Sequence, residues 1–264
     1  VNGMKKITYS APSVKKAFRI LDALSNSPRG LGVTDLSKQL KIGKSTVLGI
    51  TTALEELGLL VRDPVQKKYS VGYTLLELGR KAHTKMELKE IARRPMENLM
   101  AKVGETIFLG VLNGDHVTIV DVVESPNEMK ITSPPGTRLP LLVGATGRVL
   151  LAQLDREKAQ QIVQKIGLKR YTSKSIVDPK QFLKEVGKAR EKGYAIDQEE
   201  YILGVRAVAA PILAAPLPPA AIWVVGFSST LDDKKLGIVV GEIQKTVQEI
   251  SHSVKTSLNG GIVV

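Results

Sequence analysis

Cysteine is absent from the 264 residues, which excludes disulfides, thiolate metal sites and a cysteine nucleophile. Histidine is scarce. His83, His116 and His252 lie far apart and share no ligand-type spacing, so no metal site is expected. No apolar run is long enough to span a bilayer, and the first residues lack the pattern of a secretion signal. A cytoplasmic protein with no membrane partner is the expectation; Val1-Asn2-Gly3 ahead of Met4 reads as a cloning remnant. No Gly-x-Ser-x-Gly elbow occurs and no carboxylate pair stands out. Gly144-Ala145-Thr146-Gly147-Arg148 lacks the length and the lysine of a phosphate-binding loop. An enzyme is therefore not expected, and no catalytic residue or cofactor is assigned. Aromatic residues make up only 4% of the chain, and Trp223 is the sole tryptophan.

What is present is an ordinary globular composition, 43% hydrophobic and 24% charged, at a length that suggests two domains. The formal net charge of +12 is unevenly spread. Residues 1–80 hold 13 Lys and Arg against 6 Asp and Glu, whereas the other 184 hold 25 against 20. A basic segment joined to a nearly balanced one fits a nucleic-acid reader coupled to something else.

The basic segment carries a helix-turn-helix pattern. Ser13–Ser25 reads as a first helix with Ser13 as its cap and Val14, Ala17, Phe18, Leu21 and Leu24 as its buried stripe. Val33, Leu36 and Leu40 mark a second helix, for which Thr34 is a candidate cap. Gly43 breaks the pattern, and Lys44-Ser45-Thr46 opens a third helix with Val47, Ile50 and Leu54 inside. Two short helices about a tight turn are the helix-turn-helix arrangement. Beyond Gly58, two extended runs flank Asp63-Pro64-Val65-Gln66-Lys67-Lys68, a basic hairpin tip. Helix, helix-turn-helix and basic hairpin make a winged helix, with Lys67 and Lys68 suited to phosphate oxygens.

Farther on, Tyr73–Lys85 and Leu88–Val103 read as helices, with Pro95 predicting a kink or break in the second. From Glu105 the apolar period changes to alternation. Strands are expected at Thr106–Leu112, His116–Val123 and Met129–Thr132, the first two joined by an Asn113-Gly114-Asp115 hairpin. Helices follow over Gly144–Leu154, Asp155–Ile166 and Asp178–Lys192. A strand at Gly193–Asp197 comes next, then apolar strands at Val205–Ile212 and Ala220–Phe227, and a closing helix over Leu236–Leu258. This is an α+β domain, an antiparallel sheet flanked by helices.

Phe18-Arg19-Ile20-Leu21-Asp22-Ala23-Leu24, Lys44-Ser45-Thr46, Leu54-Glu55-Glu56-Leu57-Gly58-Leu59-Leu60 and Tyr73-Thr74-Leu75-Leu76-Glu77-Leu78-Gly79 follow one another in the first part. Gly136-Thr137-Arg138-Leu139-Pro140-Leu141, Gly147-Arg148-Val149-Leu150-Leu151-Ala152, Arg190-Glu191-Lys192-Gly193-Tyr194-Ala195 and Leu203-Gly204-Val205-Arg206-Ala207-Val208 follow in the second. In that order and spacing they resemble the IclR-type bacterial transcriptional regulators over nearly the whole chain. The resemblance implies a winged helix-turn-helix domain (10–72), a linker helix (73–87) and a GAF-like effector-binding and oligomerisation domain (88–260). It also implies double-stranded operator DNA, a small carboxylate effector and further copies of the chain, as a dimer or a dimer of dimers, as partners. Repression is favoured over activation.

The expected DNA-binding residues are Thr34, Lys44, Ser45, Thr46, Leu48, Thr51, Lys67 and Lys68. The start of the third helix favours phosphate, and Leu48 and Thr51 are placed on its outward face. Many members of the family carry His-Arg where this chain has Leu48-Gly49. Either base readout through this helix is thin and the wing, the Ser10-Ala11-Pro12 arm or DNA shape carries more of it, or Gly49 permits close approach to the DNA backbone. A ligand sensor with a degenerate DNA-binding domain is the competing reading.

The glycine-rich start Gly144-Ala145-Thr146 exposes backbone N–H groups suited to a carboxylate, or is simply a tight turn. The resemblance implies the former, with Ala145 and Thr146 holding the carboxylate and Ile131, Leu139, Gly144, Asp197, Val205, Ala207, Trp223 and Val225 lining the cavity. Met129 and Leu142 are weaker candidates. Relatives often have Cys or Ser at the positions of Ala207, Trp223 and Val225. The apolar exchange leaves a hydroxylated metabolite with few partners, at about 1–3 kcal/mol per unpaired hydroxyl. An apolar or aromatic acid is expected, not a polar keto acid such as glyoxylate. The alternative is that Trp223 fills the cavity.

Overall fold

The structure, a computed structural model, describes residues 11–84, 88–213, 215 and 217–260. Ser10 of the arm, the Val1–Gly3 leader and the end of the expected linker at 85–87 lie outside them. The chain divides into two compact units, Val1–Met86 and Glu87–Val264.

In the first unit, α1 (Pro12–Ser25) starts on a proline, preceded by Ala11, so Ser13 lies inside the first turn and does not cap it. Its buried residues are Ile20, Ala23 and Leu24. Phe18 and Val14 are 64% and 67% exposed, against expectation. At about 100° per residue, position 18 points away from the face that Ile20 and Leu24 define. α2 (Val33–Leu40) is entered through Gly32. The Asp35 carboxylate accepts the Gly32 N–H at 3.1 Å, the reach-back of a capping box. Thr34 is therefore an exposed first-turn residue, not the cap.

The turn into α3 (Lys44–Glu56) places Lys41 at φ +54°, and the Ser37 hydroxyl donates to the Ile42 carbonyl at 2.7 Å. The left-handed residue is thus Lys41 and not the glycine two positions on. β1 (Leu60–Arg62) and β2 (Tyr69–Val71) form the wing, Leu60 opposite Val71. Leu36, Val47, Leu54, Leu60 and Tyr69 close one small core with Ile20 and Leu24. Each such burial contributes about 1.5–3 kcal/mol. α4 (Tyr73–Thr84) follows.

The second unit begins with α5 (Leu88–Val103), which runs unbroken through the buried Pro95. Its sheet comprises β3 (Thr106–Asn113), β4 (His116–Val123), β5 (Arg138–Pro140), β6 (Ala195–Gln198), β7 (Val205–Ile212) and β8 (Ala220–Phe227), ordered β5-β4-β3-β8-β7-β6 and antiparallel throughout. Gly114 takes φ +62° in the β3–β4 hairpin, as the first residue of a two-residue turn requires.

Met129–Thr132 is not a strand. The free edge of β4 is taken instead by the segment after the prolines. Gly136 N–H donates to the Ile119 carbonyl at 2.8 Å, Ile119 N–H to Thr137 at 2.9 Å, and β5 continues the pairing. That edge of β4 pairs at residues 116–119 with 136–140 and not with 129–132.

Helices α6 (Gly144–Leu151), α7 (Arg156–Ile166) and α8 (Pro179–Lys192) cover one sheet face, and α5 and α9 (Asp233–Gly260) the other. A bulge between Leu109 and Gly110 shifts the β3–β4 register. Val117 and Ile119 therefore face α6, whereas Asp121 faces α5 and meets Arg93 at 3.3 Å.

Candidate functional site

Antiparallel register decides which side chains meet beneath α6. Residues opposite one another share a face, so Phe108 lies beside Trp223, Trp223 beside Ala209, Val225 beside Ala207, and Ala207 beside Asp197. Val117 lies beside Leu139. All of these positions except Ala209, with the N-terminus of α6 and the 201–202 loop, line a cavity of about 120 Å³.

The cavity brings together Ile131, Leu139, Gly144, Ala145, Thr146, Asp197, Val205, Ala207, Trp223 and Val225. Leu142 is buried but does not line it, and Met129 is 78% exposed. Sequence reasoning missed Phe108, Val117, Ile119, Ser133, Pro140, Val143, Tyr201 and Ile202. The alternation of Thr106–Leu112 and His116–Val123 carried the signal for the first three, but not which face was inward.

Trp223 does not fill the space. Its ring stacks on Phe108 with centroids 5.5 Å apart and an interplanar angle of 18°. Its tip lies over Gly110, where an added Cβ would come within 2.7 Å of the ring. The missing side chain at Gly110 lets the indole lie flat on the sheet and leaves the cavity open.

At the other wall, Gly144 has φ +62°, and the Asp197 carboxylate occupies the place a Cβ would take. Asp197 Oδ1 accepts the Glu200 N–H at 2.7 Å. Burial pushes the Asp197 carboxyl up to about 6, with the Glu200 carboxylate adding to the rise and Arg148 opposing it. Behind it, the 3%-exposed Arg148 holds the Glu200 carboxylate at 2.8 and 3.2 Å and donates to the Ile196 carbonyl at 2.6 Å. Burial also raises the Glu200 carboxyl, against the pull of Arg148.

The first unit offers a different surface. Lys44, Ser45, Leu48 and Gly49 are exposed along α3, and Thr46 is half-buried. Thr51 is not on this face. It is fully buried, its hydroxyl donating to the Val47 and Leu48 carbonyls at 3.0 Å. Position 51 lies one turn from both Val47 and Leu54, so it shares their inward face; exposed Thr52 takes the outward place. At the wing tip the Asp63 carboxylate accepts the Val65 and Gln66 N–H groups at 2.8 and 2.9 Å, and Lys67 takes φ +55°. Lys67 is exposed and Lys68 half-buried.

Residues 13–64 match the IclR helix-turn-helix domain, and residues 80–252 match the family described as bacterial transcriptional regulator IclR C-terminal. The chain belongs to the IclR family. It is an effector-modulated, DNA-binding transcriptional regulator. It is 35% identical to the regulator KdgR of Escherichia coli over 203 residues, 77% of each chain. The IclR transcriptional regulator of Alicyclobacillus acidocaldarius superposes with a TM-score of 0.79 at 27% identity, over 93% of this chain and all of that one. An IclR homolog of Microbacterium hydrocarbonoxydans complexed with 4-hydroxybenzoate shares the fold, with a TM-score of 0.77 at 20% identity over 92% and 99% of the two chains. No helix among the described residues is long and apolar enough to cross a membrane.

In this IclR-family regulator the raised Asp197 carboxyl sets a pH dependence. A carboxyl whose pKa is higher folded than unfolded makes the fold hold an extra proton between the two values, so stability falls as pH rises through that window. From 3.8 unfolded to about 6 folded, Asp197 removes stability between about pH 4 and 6. Asp197→Asn keeps the acceptor for Glu200 N–H, and is expected to raise stability at pH 7 by about 1–3 kcal/mol. Urea unfolding followed by Trp223 emission checks this; an unchanged or lower midpoint contradicts it.

Proposed function

We propose that the cavity beneath α6 is the effector site and that it takes a small, mainly apolar carboxylic acid, an aromatic acid above a polar keto acid. The observation that carries this reading is the lining itself. Its walls are Phe108, Trp223, Ile119, Val205 and Val225, with the N-terminus of α6 and few polar side chains at one end. Backbone N–H groups and the positive end of the helix dipole suit a carboxylate; the apolar remainder suits a ring. The 4-hydroxybenzoate held by the Microbacterium homolog supports the same class of ligand.

The test uses Trp223 as the reporter, since it is the sole tryptophan and a wall of the cavity. Benzoate, 4-hydroxybenzoate and glyoxylate are titrated against the full chain while its emission is followed. Saturable change with the aromatic acids supports the reading. Saturation by glyoxylate alone overturns it.

For DNA, the reading assigns contacts to Lys44, Ser45, Thr46, Leu48 and Thr52 of α3, to Thr34 of α2 and to Lys67 and Lys68 of the wing. The chain acts as an isologous dimer, alone or paired into a tetramer, on half-sites roughly 34 Å apart. Lys67→Ala/Lys68→Ala is expected to weaken binding to specific and scrambled DNA alike. The slope of log K against log salt should fall by about 1.8 for two phosphate contacts. A loss confined to the specific sequence would assign these lysines to base readout instead. A reporter under the cognate promoter reads the sign: repression predicts higher expression without the protein.

A further inference from the structure

The cavity pairs an apolar wall with a buried carboxylate and offers an incoming acid no cation. Among its lining residues there is no lysine, arginine or histidine. Asp197, 7% exposed, is part of that lining, and its carboxylate packs against Gly144 at the start of α6. A carboxylate guest drawn to the α6 N-terminus therefore arrives beside a second carboxylate.

Every element around Asp197 leaves that problem unsolved. From α6 comes Arg148, whose Nη atoms go to Glu200 and the Ile196 carbonyl while its buried Nε has no partner; its pull on Asp197 is weaker than the effect of burial. From the following loop come Glu200, itself acidic, and Tyr201. β7 contributes Val205 and Ala207 to the cavity, and β8 contributes Trp223 and Val225, none of them charged. The remaining arginine of that region, Arg206, is turned to Asp233 at 2.9 Å. Two buried carboxylates in contact do not both stay ionised; one proton is shared between them.

We propose that this cavity takes its effector together with one proton, so that the species it recognises is a carboxylic acid paired with Asp197 and not a lone carboxylate anion. The inference rests on the reading of this cavity as the effector site. The balance is simple. When Asp197 and the free acid are both ionised, binding draws one proton from solvent and places it between an oxygen of each. No bond other than O–H forms or breaks. When Asp197 already carries the proton, none is taken up. Affinity is therefore level where Asp197 is protonated in the free protein, and falls about tenfold per pH unit above that range.

The experiment titrates benzoate into the full chain between pH 5 and 8.5 and follows Trp223 emission. The dissociation constant is expected to be level below about pH 6, near the value to which burial raises Asp197, and to climb about tenfold per unit above it. Asp197→Asn, permanently neutral, should bind benzoate with a level profile across the range. Calorimetry of the unsubstituted protein at pH 7.5, in two buffers of different ionisation enthalpy, should show uptake of about one proton per benzoate; this arm does not depend on the variant folding. A level profile with no proton uptake in the unsubstituted protein overturns the proposal while leaving the effector site in place. No saturation by any aromatic acid even at pH 5, where the proposal expects tightest binding, overturns both.

Discussion

Arg148→Met is expected to cost the effector domain about 3–5 kcal/mol of stability. Arg148 sits inside α6 among Val149, Leu150 and Leu151, all fully buried. Its guanidinium has two hydrogen bonds to Glu200 and one to a backbone carbonyl. A buried pair of this kind adds little over an apolar pair of equal volume, because desolvation offsets the attraction. Removing one partner is different, since Glu200 is then left buried without its counter-charge. Thr172 and Ser175 hydroxyls donate to the Glu200 carbonyl at 3.2 and 2.7 Å, so the residue is held in place and cannot easily swing out to water. Urea unfolding read by Trp223 emission measures the loss. The double variant Arg148→Met/Glu200→Leu should recover most of it. A loss below about 1 kcal/mol in the single variant, the range of exposed ion pairs, would sink the argument.

Gly110→Val is expected to close the cavity beneath α6 and, if that cavity is the proposed effector site, to weaken benzoate binding about a hundredfold while DNA binding persists without response to the acid. Even a Cβ at position 110 would stand 2.7 and 2.8 Å from two ring carbons of Trp223 and 3.0 Å from the Thr118 carbonyl. The carbonyl belongs to the β4 backbone and has little room to yield. The indole must move, and Phe108 blocks one side of it. The free space is the cavity. Overpacking of this kind costs about 1–3 kcal/mol, and a displaced indole takes the volume that a benzoate ring would use. Trp223→Phe combined with Gly110→Val should reopen the space, with binding followed by calorimetry because the reporter is gone. Unaltered benzoate affinity in Gly110→Val would show that Trp223 finds another resting place.

Much of the architecture was legible in the residues. The helix-turn-helix followed from apolar spacing in Val33–Leu54, and the hairpin at Gly114 from its turn residues. The exchange of polar for apolar residues at Ala207, Trp223 and Val225 described the cavity wall before any register was known. Errors came where one residue of offset decides a face. Phe18 and Thr51 were each put on the wrong side of a helix, since adjacent positions differ by about 100°. Met129–Thr132 has the composition of a strand, but β4 pairs with residues 136–140 instead.

By itself, then, the sequence determined the family, the winged helix-turn-helix, the α+β effector domain and only part of the lining beneath α6. Local periodicity and motif order are written along the chain, and each needs only a few neighbouring residues to be recognised. Only the tertiary structure decided that Trp223 lies flat, that Asp121 faces α5, that Arg148 is committed to Glu200 and that Asp197 is left without a cation. Each of these depends on pairs far apart in sequence: Gly110 with Trp223, Arg93 with Asp121, Arg148 with Glu200, Gly144 with Asp197. Their chemistry is a matter of burial and distance, and those exist only once the sheet register has brought the partners together.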